Sequence, residues 1–294
     1  MFFCINGRFV RQSKAMVSVL DRGFLYADGF YDTLRIYDGG IFKLPLHLSR
    51  IEATAKALEI RLPCSLKKIG ELLLETVKRN KLGEARVRIT VTRAEKKPTF
   101  VITCEALKKS GKPKMLSACT MRFQRIQPEF KTLGGLAVLL PALREAKKRG
   151  CDEMIGLDQN GFVREAATSN VFVVRQDTLF TPKSGMLPGL TRSLVVQAAQ
   201  KLGLEVDVKD FKISVLCSAD EIFLTNRVRE IIPIVRLNGN KVGKGTLGPV
   251  TGRLMEEYRE YVEQEVEDAI LDSLATARES GKKSKYLSHD DVWK

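Results

Sequence analysis

The sequence predicts an α/β fold of the α+β kind, in two domains, and three observations predict it. Runs of β-branched and aromatic residues with a period of two alternate with runs of helical periodicity. Turn signals, Asn6-Gly7, Asp38-Gly39-Gly40 and Asn160-Gly161, stand between successive β-rich runs. A polar, basic stretch, KKSGKPK at 108–114, separates two blocks of such elements and reads as an interdomain linker.

The elements follow in order. MFFCINGRFV reads as two short strands around Asn6-Gly7. FYDTLRIYDGGIFKL is a second hairpin, because the glycines after Asp38 supply the positive φ a tight turn requires. LHLSRIEATAKALEI has helical spacing, and SLKKIGELLLETVKRNKLG is a stronger amphipathic helix with Gly83 as its stop. RVRITVTRA and TFVITCEAL are strands around a polar EKKP turn. These make an N-terminal α+β domain over 1–107, with 108–115 as linker.

The second domain is expected over 116–270. MLSACTMRFQRIQ is strand-like, and LAVLLPALREAKKRG is a helix ended by Gly150. DEMIGLDQNGFVREA is a hairpin, NVFVVRQDTLFTP continues the sheet, and LTRSLVVQAAQKLGL is a helix. EVDVKDF and EIFLTN are strands, the latter running into a polar turn, and TGRLMEEYREYVEQEVEDAI is a terminal helix. Residues 271–294 read as a polar, mobile tail.

Apolar residues make up 44% and charged residues 29% of the 294, which fits a soluble globule and excludes a disordered or collagen-like chain. No apolar stretch approaches the ~20 residues a membrane helix needs, and no signal-peptide layout opens the chain, so a cytoplasmic location is expected. The six cysteines are scattered without CxxC, which suggests neither a disulfide framework nor a metal site. The net charge of +14 raises anionic ligands or nucleic acid as partners, but the basic residues are interleaved with acids. Dispersed charge reads as solvated faces plus an anionic-ligand pocket.

One segment carries chemistry on physical grounds alone. In LPGLTRSLVVQAAQ the Pro188-Gly189 turn leads into a helix at Leu190 or Thr191, whose free N–H groups and dipole form an anion cradle. The alternative is that Thr191 is only a helix cap. Thr225-Asn226-Arg227, at the end of the strand EIFL, is a second polar turn of the sort that meets ligands in α/β layers, or simply a loop.

The series DRGFLYADGFYDTLR, HLSR, FKTL, NGFVREAATSNVF, LPGLTR and LTNRVREIIPI resembles the class IV aminotransferases, over residues 1 to about 265. These are fold-type IV pyridoxal-phosphate enzymes, including branched-chain and D-amino-acid aminotransferases and aminodeoxychorismate lyase. The resemblance implies a small N-terminal domain, a larger mixed-sheet C-terminal domain with the cofactor in the cleft, and a homodimer. Lys131 matches the lysine that holds pyridoxal 5'-phosphate as a Schiff base and shuttles the proton. Glu165 matches the carboxylate on the pyridine nitrogen, and Arg50 the phosphate-binding arginine. Gly189, Leu190 and Thr191 match one phosphate-contacting turn, and Thr225 and Asn226 the other. Leu187 matches the leucine packed on the ring, while Ser169 and Asn170 lie on the cofactor side.

For the substrate, the period of two puts Tyr31, Thr33 and Arg35 on one strand face, with Tyr26 preceding them and Arg86 and Arg88 sharing a face of RVRITVTR. Tyr26, Tyr31, Arg35 and Arg88 are therefore the candidates for holding an amino acid's carboxylate, or else the arginines cover sheet edges. Three departures from the family pattern stand out: Gly134-Gly135 after the lysine, where many relatives carry Asn; no Arg-x-His near RAEKKPTF; and Tyr26-Ala27-Asp28-Gly29 for Tyr-Gly-Asp-Gly. The expected activity is transamination between an amino acid, of the D-amino-acid or branched-chain type, and a 2-keto acid. A lyase eliminating pyruvate from aminodeoxychorismate is the alternative, and a basic nucleic-acid-binding protein a remote third.

Overall fold

The computed structural model of the chain describes residues 1–280 except 95, 96, 109–112 and 124. The chain divides into two compact units, one of Met1–Lys109, Lys131–Gly134 and Tyr261–Lys294, the other of Ser110–Phe130 and Gly135–Glu260. Part of the expected linker, 109–112, and the last part of the expected tail, 281–294, fall outside the described residues.

In the first unit the elements are β1 (Phe2–Ile5), β2 (Arg8–Arg11), α1 (Arg22–Tyr26), β3 (Gly29–Tyr37), β4 (Gly40–Ile41), α2 (Leu44–Ala57), α3 (Leu66–Asn80), β5 (Ala85–Thr92) and β6 (Phe100–Ala106). Asn6 and Gly7 both take positive φ, as do Asp38 and Gly39, so both hairpin turns form as the glycines require. The strands make one antiparallel sheet in the order β2-β1-β6-β5-β3-β4. Its inner face packs Phe30, Leu34, Ile36, Val87, Ile89 and Ile102 against Ile51 of α2 and Ile69 and Leu73 of α3. Contrary to the expected stop at Gly83, α3 ends at Asn80, and Lys81 takes the left-handed capping conformation at φ 50°.

The second unit carries β7 (Leu116–Arg122), α4 (Leu133–Lys148), β8 (Glu153–Leu157), β9 (Val163–Ala166), β10 (Asn170–Arg175), β11 (Thr178–Thr181), α5 (Leu190–Lys201), β12 (Glu205–Val208), α6 (Ile213–Cys217), β13 (Glu221–Asn226), β14 (Glu230–Leu237), β15 (Asn240–Lys241) and the start of α7 (Pro249–Ser280). α7 is longer than the terminal helix expected over 251–270. The sheet is mixed: β7 pairs in parallel with β8 and β14, β11 with β12, and the remaining pairs are antiparallel. β10, β13, β14, β7, β8 and β9 pair in turn, and β9 meets β10 again at Glu165 and Asn170, so six strands close into a ring. Other elements differ from expectation as well. β14 forms after the polar turn, over residues for which no element was expected, and α4 starts at Leu133 rather than after the Gly134-Gly135 pair, which lies in its first turn.

Candidate active site

In the first unit, Lys131 is held against the start of β3. The Tyr31 N–H donates to the Lys131 carbonyl at 2.9 Å, and Thr132 bridges Phe30. Lys131 Nζ lies 5.5 Å from the Tyr31 ring centroid, and the Arg88 guanidinium carbon lies 3.9 Å from the same centroid. Tyr31, Thr33 and Arg35 oppose Thr90, Arg88 and Arg86 on β5, so one outer face of the sheet carries an aromatic ring, a lysine and an arginine together. Burial lowers the Arg88 pKa, with Arg86 adding to that and Tyr31 opposing it. Arg35 is committed elsewhere: it is buried, donates to Glu84 at 2.5 Å and lies over the Tyr37 ring. That corrects its candidacy as a carboxylate ligand, because the β3–β5 register delivers it a carboxylate of the chain's own. Tyr26 is 67% exposed at the end of α1, with Arg22 over its ring at 5.2 Å.

The inner face of the same strand carries an unexpected charge. Asp32 stands between Phe30 and Leu34 and is 2% exposed. It accepts from Arg50 Nη2 at 2.6 Å and Nε at 3.2 Å, and meets His47 Nδ1 at 3.0 Å. Burial pushes its pKa up, but the charges and hydrogen bonds of Arg50 and His47 outweigh that and hold the carboxyl far below the usual range. Arg50 is thus locked by a two-point fork, and among the described residues its Nη1 has no partner.

In the second unit, ring closure sets Glu165, Asn170 and Thr225 side by side across β9, β10 and β13. Residues directly opposite in antiparallel pairs project to the same face. The turn before α5 runs over that face: the Leu187 N–H donates to Glu165 Oε2 at 3.2 Å, and Asn170 Nδ2 donates to the Leu187 carbonyl at 2.7 Å. Gly189 is the N-cap, α5 has no side-chain cap, and a Cβ on Gly189 would meet Asn170 Oδ1 at 2.1 Å. Asn226 donates to Ser169 Oγ at 2.9 Å and accepts from the Val228 and Arg229 N–H groups, which fixes the second turn. Asn170, Ser169 and Asn226 therefore shape the turns through bonds within the protein.

The hydroxyls of Thr191 and Thr225 differ from these. Both are buried, and among the described residues neither Oγ1 has a hydrogen-bond partner. Buried polar atoms are ordinarily paired. Two orphan hydroxyls, one of them in the first turn of an uncapped helix, fit an anion with several acceptor oxygens. Glu165 is the other polar feature, a buried carboxylate bonded to Arg125 Nε at 2.7 Å. Within the second unit the hydroxyls, N–H groups and buried carboxylate make a set of donors and an acceptor that fits the phosphate and the pyridine nitrogen of pyridoxal phosphate.

A family model for class IV amino-transferases matches residues 29–237. The chain belongs to the class IV aminotransferase family. A putative branched-chain-amino-acid aminotransferase of Methanocaldococcus jannaschii is 33% identical over 87% of this chain and 94% of its own. The aminodeoxychorismate lyase of Bacillus subtilis is 30% identical over 90% of this chain and 96% of its own. A branched-chain amino acid aminotransferase from Escherichia coli superposes with a TM-score of 0.83 at 27% identity, over 89% of this chain and 94% of that one. A further branched-chain amino acid aminotransferase, solved with pyridoxamine 5'-phosphate, superposes with a TM-score of 0.85 at 28% identity, over 90% of this chain and 94% of that one. The mixed two-domain α/β fold expected from the sequence is the class IV aminotransferase fold, and members of that family are pyridoxal-phosphate enzymes. No helix among the described residues is long and apolar enough to cross a membrane.

Sequence reasoning missed Asp32, His47 and Arg125. Asp32 was detectable as a charged residue on the apolar side of an alternating strand, with His47 and Arg50 three apart on a helix to receive it. Arg125 carries no such signal, since only the fold brings it to Glu165, 40 positions away.

Proposed function

We propose that this chain is a pyridoxal-phosphate-dependent transaminase that attaches its cofactor through Lys131 and transfers the amino group of a branched-chain amino acid to a 2-keto acid. The observation that carries the cofactor assignment is the pair of buried, unpartnered hydroxyls, Thr191 and Thr225. When bound, the cofactor supplies an electron-withdrawing ring that stabilises negative charge developing at the substrate Cα. Thr191, Thr225 and the N–H groups of Leu190 and Thr191 would bind the phosphate, with Arg50 as counter-charge. Glu165 would keep a proton on the pyridine nitrogen. Lys131 Nζ would remove the Cα proton, a transfer that needs an amine within hydrogen-bond reach.

Arg88 is the cation best suited to the substrate carboxylate, since it shares the Tyr31 ring with Lys131. The branched-chain preference rests on the 33% identical relative and on the structural likeness to the two branched-chain aminotransferases. Gly134 borders open space, since a Cβ there would meet nothing within 4 Å. A homodimer is part of the proposal. Met16, Val19, Leu20 and Phe24 form an exposed apolar run, the kind of surface that a second copy covers. A cytoplasmic location is also part of it, supported by six free cysteines.

The second reading is aminodeoxychorismate lyase, favoured by the 30% identical relative and by the Thr225-Asn226 turn. The purified protein, given amino donors with 2-oxoglutarate and, separately, aminodeoxychorismate, separates the two. Amino transfer from leucine, isoleucine or valine without pyruvate release supports the proposal. Pyruvate release without amino transfer would replace it by the lyase.

A further inference from the structure

Glu165 does not stand alone, and the group beside it has no part in the roles assigned so far. Arg125 lies in the segment that follows β7, with its side chain 4% exposed. Its Nε donates to Glu165 Oε1 at 2.7 Å, and its Nη2 donates to the Pro128 carbonyl. The other Glu165 oxygen accepts the Leu187 N–H. Each carboxylate oxygen therefore has a fixed donor, and the plane of the group is set from two sides. Arg164, the neighbour along β9, alternates to the other face and pairs with Asp158 and Asp210; Glu153 on β8 pairs with Arg229. Arg125 is the guanidinium bonded directly to Glu165.

A carboxylate buried in an apolar setting without a counter-charge takes up a proton, and a neutral carboxyl gives no electrostatic hold on a protonated pyridine nitrogen. A guanidinium cannot be neutralised at any working pH, so a carboxylate beside it stays ionised. We propose that Arg125 is the positioning residue for Glu165: it keeps that carboxylate charged and oriented toward the cofactor. This rests on the reading of Glu165 as the partner of the pyridine nitrogen.

The sign follows from the chemistry. With Arg125 present, Glu165 stays ionised throughout the neutral and mildly acidic range. Without it the Glu165 pKa rises, and cofactor affinity falls as the pH drops through the raised value. The experiment titrates stripped protein with pyridoxal phosphate from about pH 8 to about pH 5.5, followed by visible absorbance, for wild type, R125Q, R125K, E165Q and R125Q/E165Q. Ionisation of the free cofactor is common to all five and cancels in ratios to wild type.

R125Q is expected to lose about tenfold more affinity than wild type between pH 8 and pH 6, as happens when titration runs about one pH unit past the raised value. R125K retains the wild-type profile. R125Q/E165Q matches E165Q, because Arg125 acts only through the carboxylate; this comparison decides the matter even where R125Q alone does not fold. A wild-type profile in R125Q overturns the proposal, as does any change that R125Q still produces in the E165Q background. E165Q binding like wild type at every pH identifies a different fault, that Glu165 does not meet the cofactor.

Discussion

Replacing Thr191 by Val tests the phosphate cradle through two effects of opposite sign. The Thr191 hydroxyl is buried in the first turn of α5 and has no partner among the described residues. A buried hydroxyl left unpaired costs about 1–3 kcal/mol. Valine has nearly the same shape and no hydroxyl, so stripped Thr191→Val protein is expected to be more stable than wild type by about 1 kcal/mol, the low end of that range. A hydrogen bond to a charged group contributes about 1.5–3 kcal/mol, so the variant should bind pyridoxal phosphate roughly 10- to 150-fold more weakly. Thermal unfolding of stripped protein, with and without added cofactor, reads both effects. If the Thr191 hydroxyl does not meet the phosphate, the variant binds the cofactor as wild type does. That pattern would refute the cradle.

Three further perturbations follow from the same geometry. Thr225→Val should repeat the two opposite effects, as read by the same pair of melting curves. In Gly189→Ala the new Cβ comes within 2.1 Å of Asn170 Oδ1, so overpacking should cost about 1–3 kcal/mol in urea unfolding together with cofactor affinity; an unchanged midpoint contradicts the tight approach. Asp32→Asn leaves Arg50 without its counter-charge and should cost about 3–5 kcal/mol near pH 7. Because the Asp32 pKa is depressed in the fold, its stabilisation is fully present above the unfolded value of about 3.9 and is lost as the pH falls through the folded value. The gap between variant and wild type should therefore hold steady above about pH 4 and narrow below it, and a gap that is constant into acid would count against the buried ion pair.

What the sequence revealed depended on how local the causes were. Asn6-Gly7 and Asp38-Gly39 dictate their own positive φ, and the alternation in β3 and β5 dictates which side chains share a face, so these elements were legible from a few neighbouring residues. β14 was not, because Pro233 interrupts the signal of an otherwise apolar strand; in the structure it lies within the pairing with β13, opposite Phe223. Lys81 ends α3 in a conformation usually reserved for Gly or Asn, which propensity could not foresee.

At the site, the motif series drew attention to Thr191, Thr225, Glu165 and Arg50, but only tertiary structure distinguishes their circumstances. The two threonine hydroxyls are unpartnered among the described residues, whereas the carboxylate and the guanidinium each hold a buried partner. Arg35 and Arg88 look alike in sequence, on paired strands of one sheet. The β3–β5 pairing and the position of Glu84 give Arg35 a carboxylate of the protein and leave Arg88 beside Tyr31.

Lys131 is anonymous by composition and gains its environment from Tyr31, which lies 100 positions earlier and holds the Lys131 carbonyl through its own N–H. Its attachment to the cofactor can be read by borohydride reduction of the yellow holoprotein, followed by mass analysis of its peptides. The peptide containing Lys131 is expected to carry the mass of the reduced cofactor, and Lys131→Ala to carry none while keeping its fold. The modification on another lysine, or a Lys131→Ala protein that is still yellow and still fixed by borohydride, would contradict it.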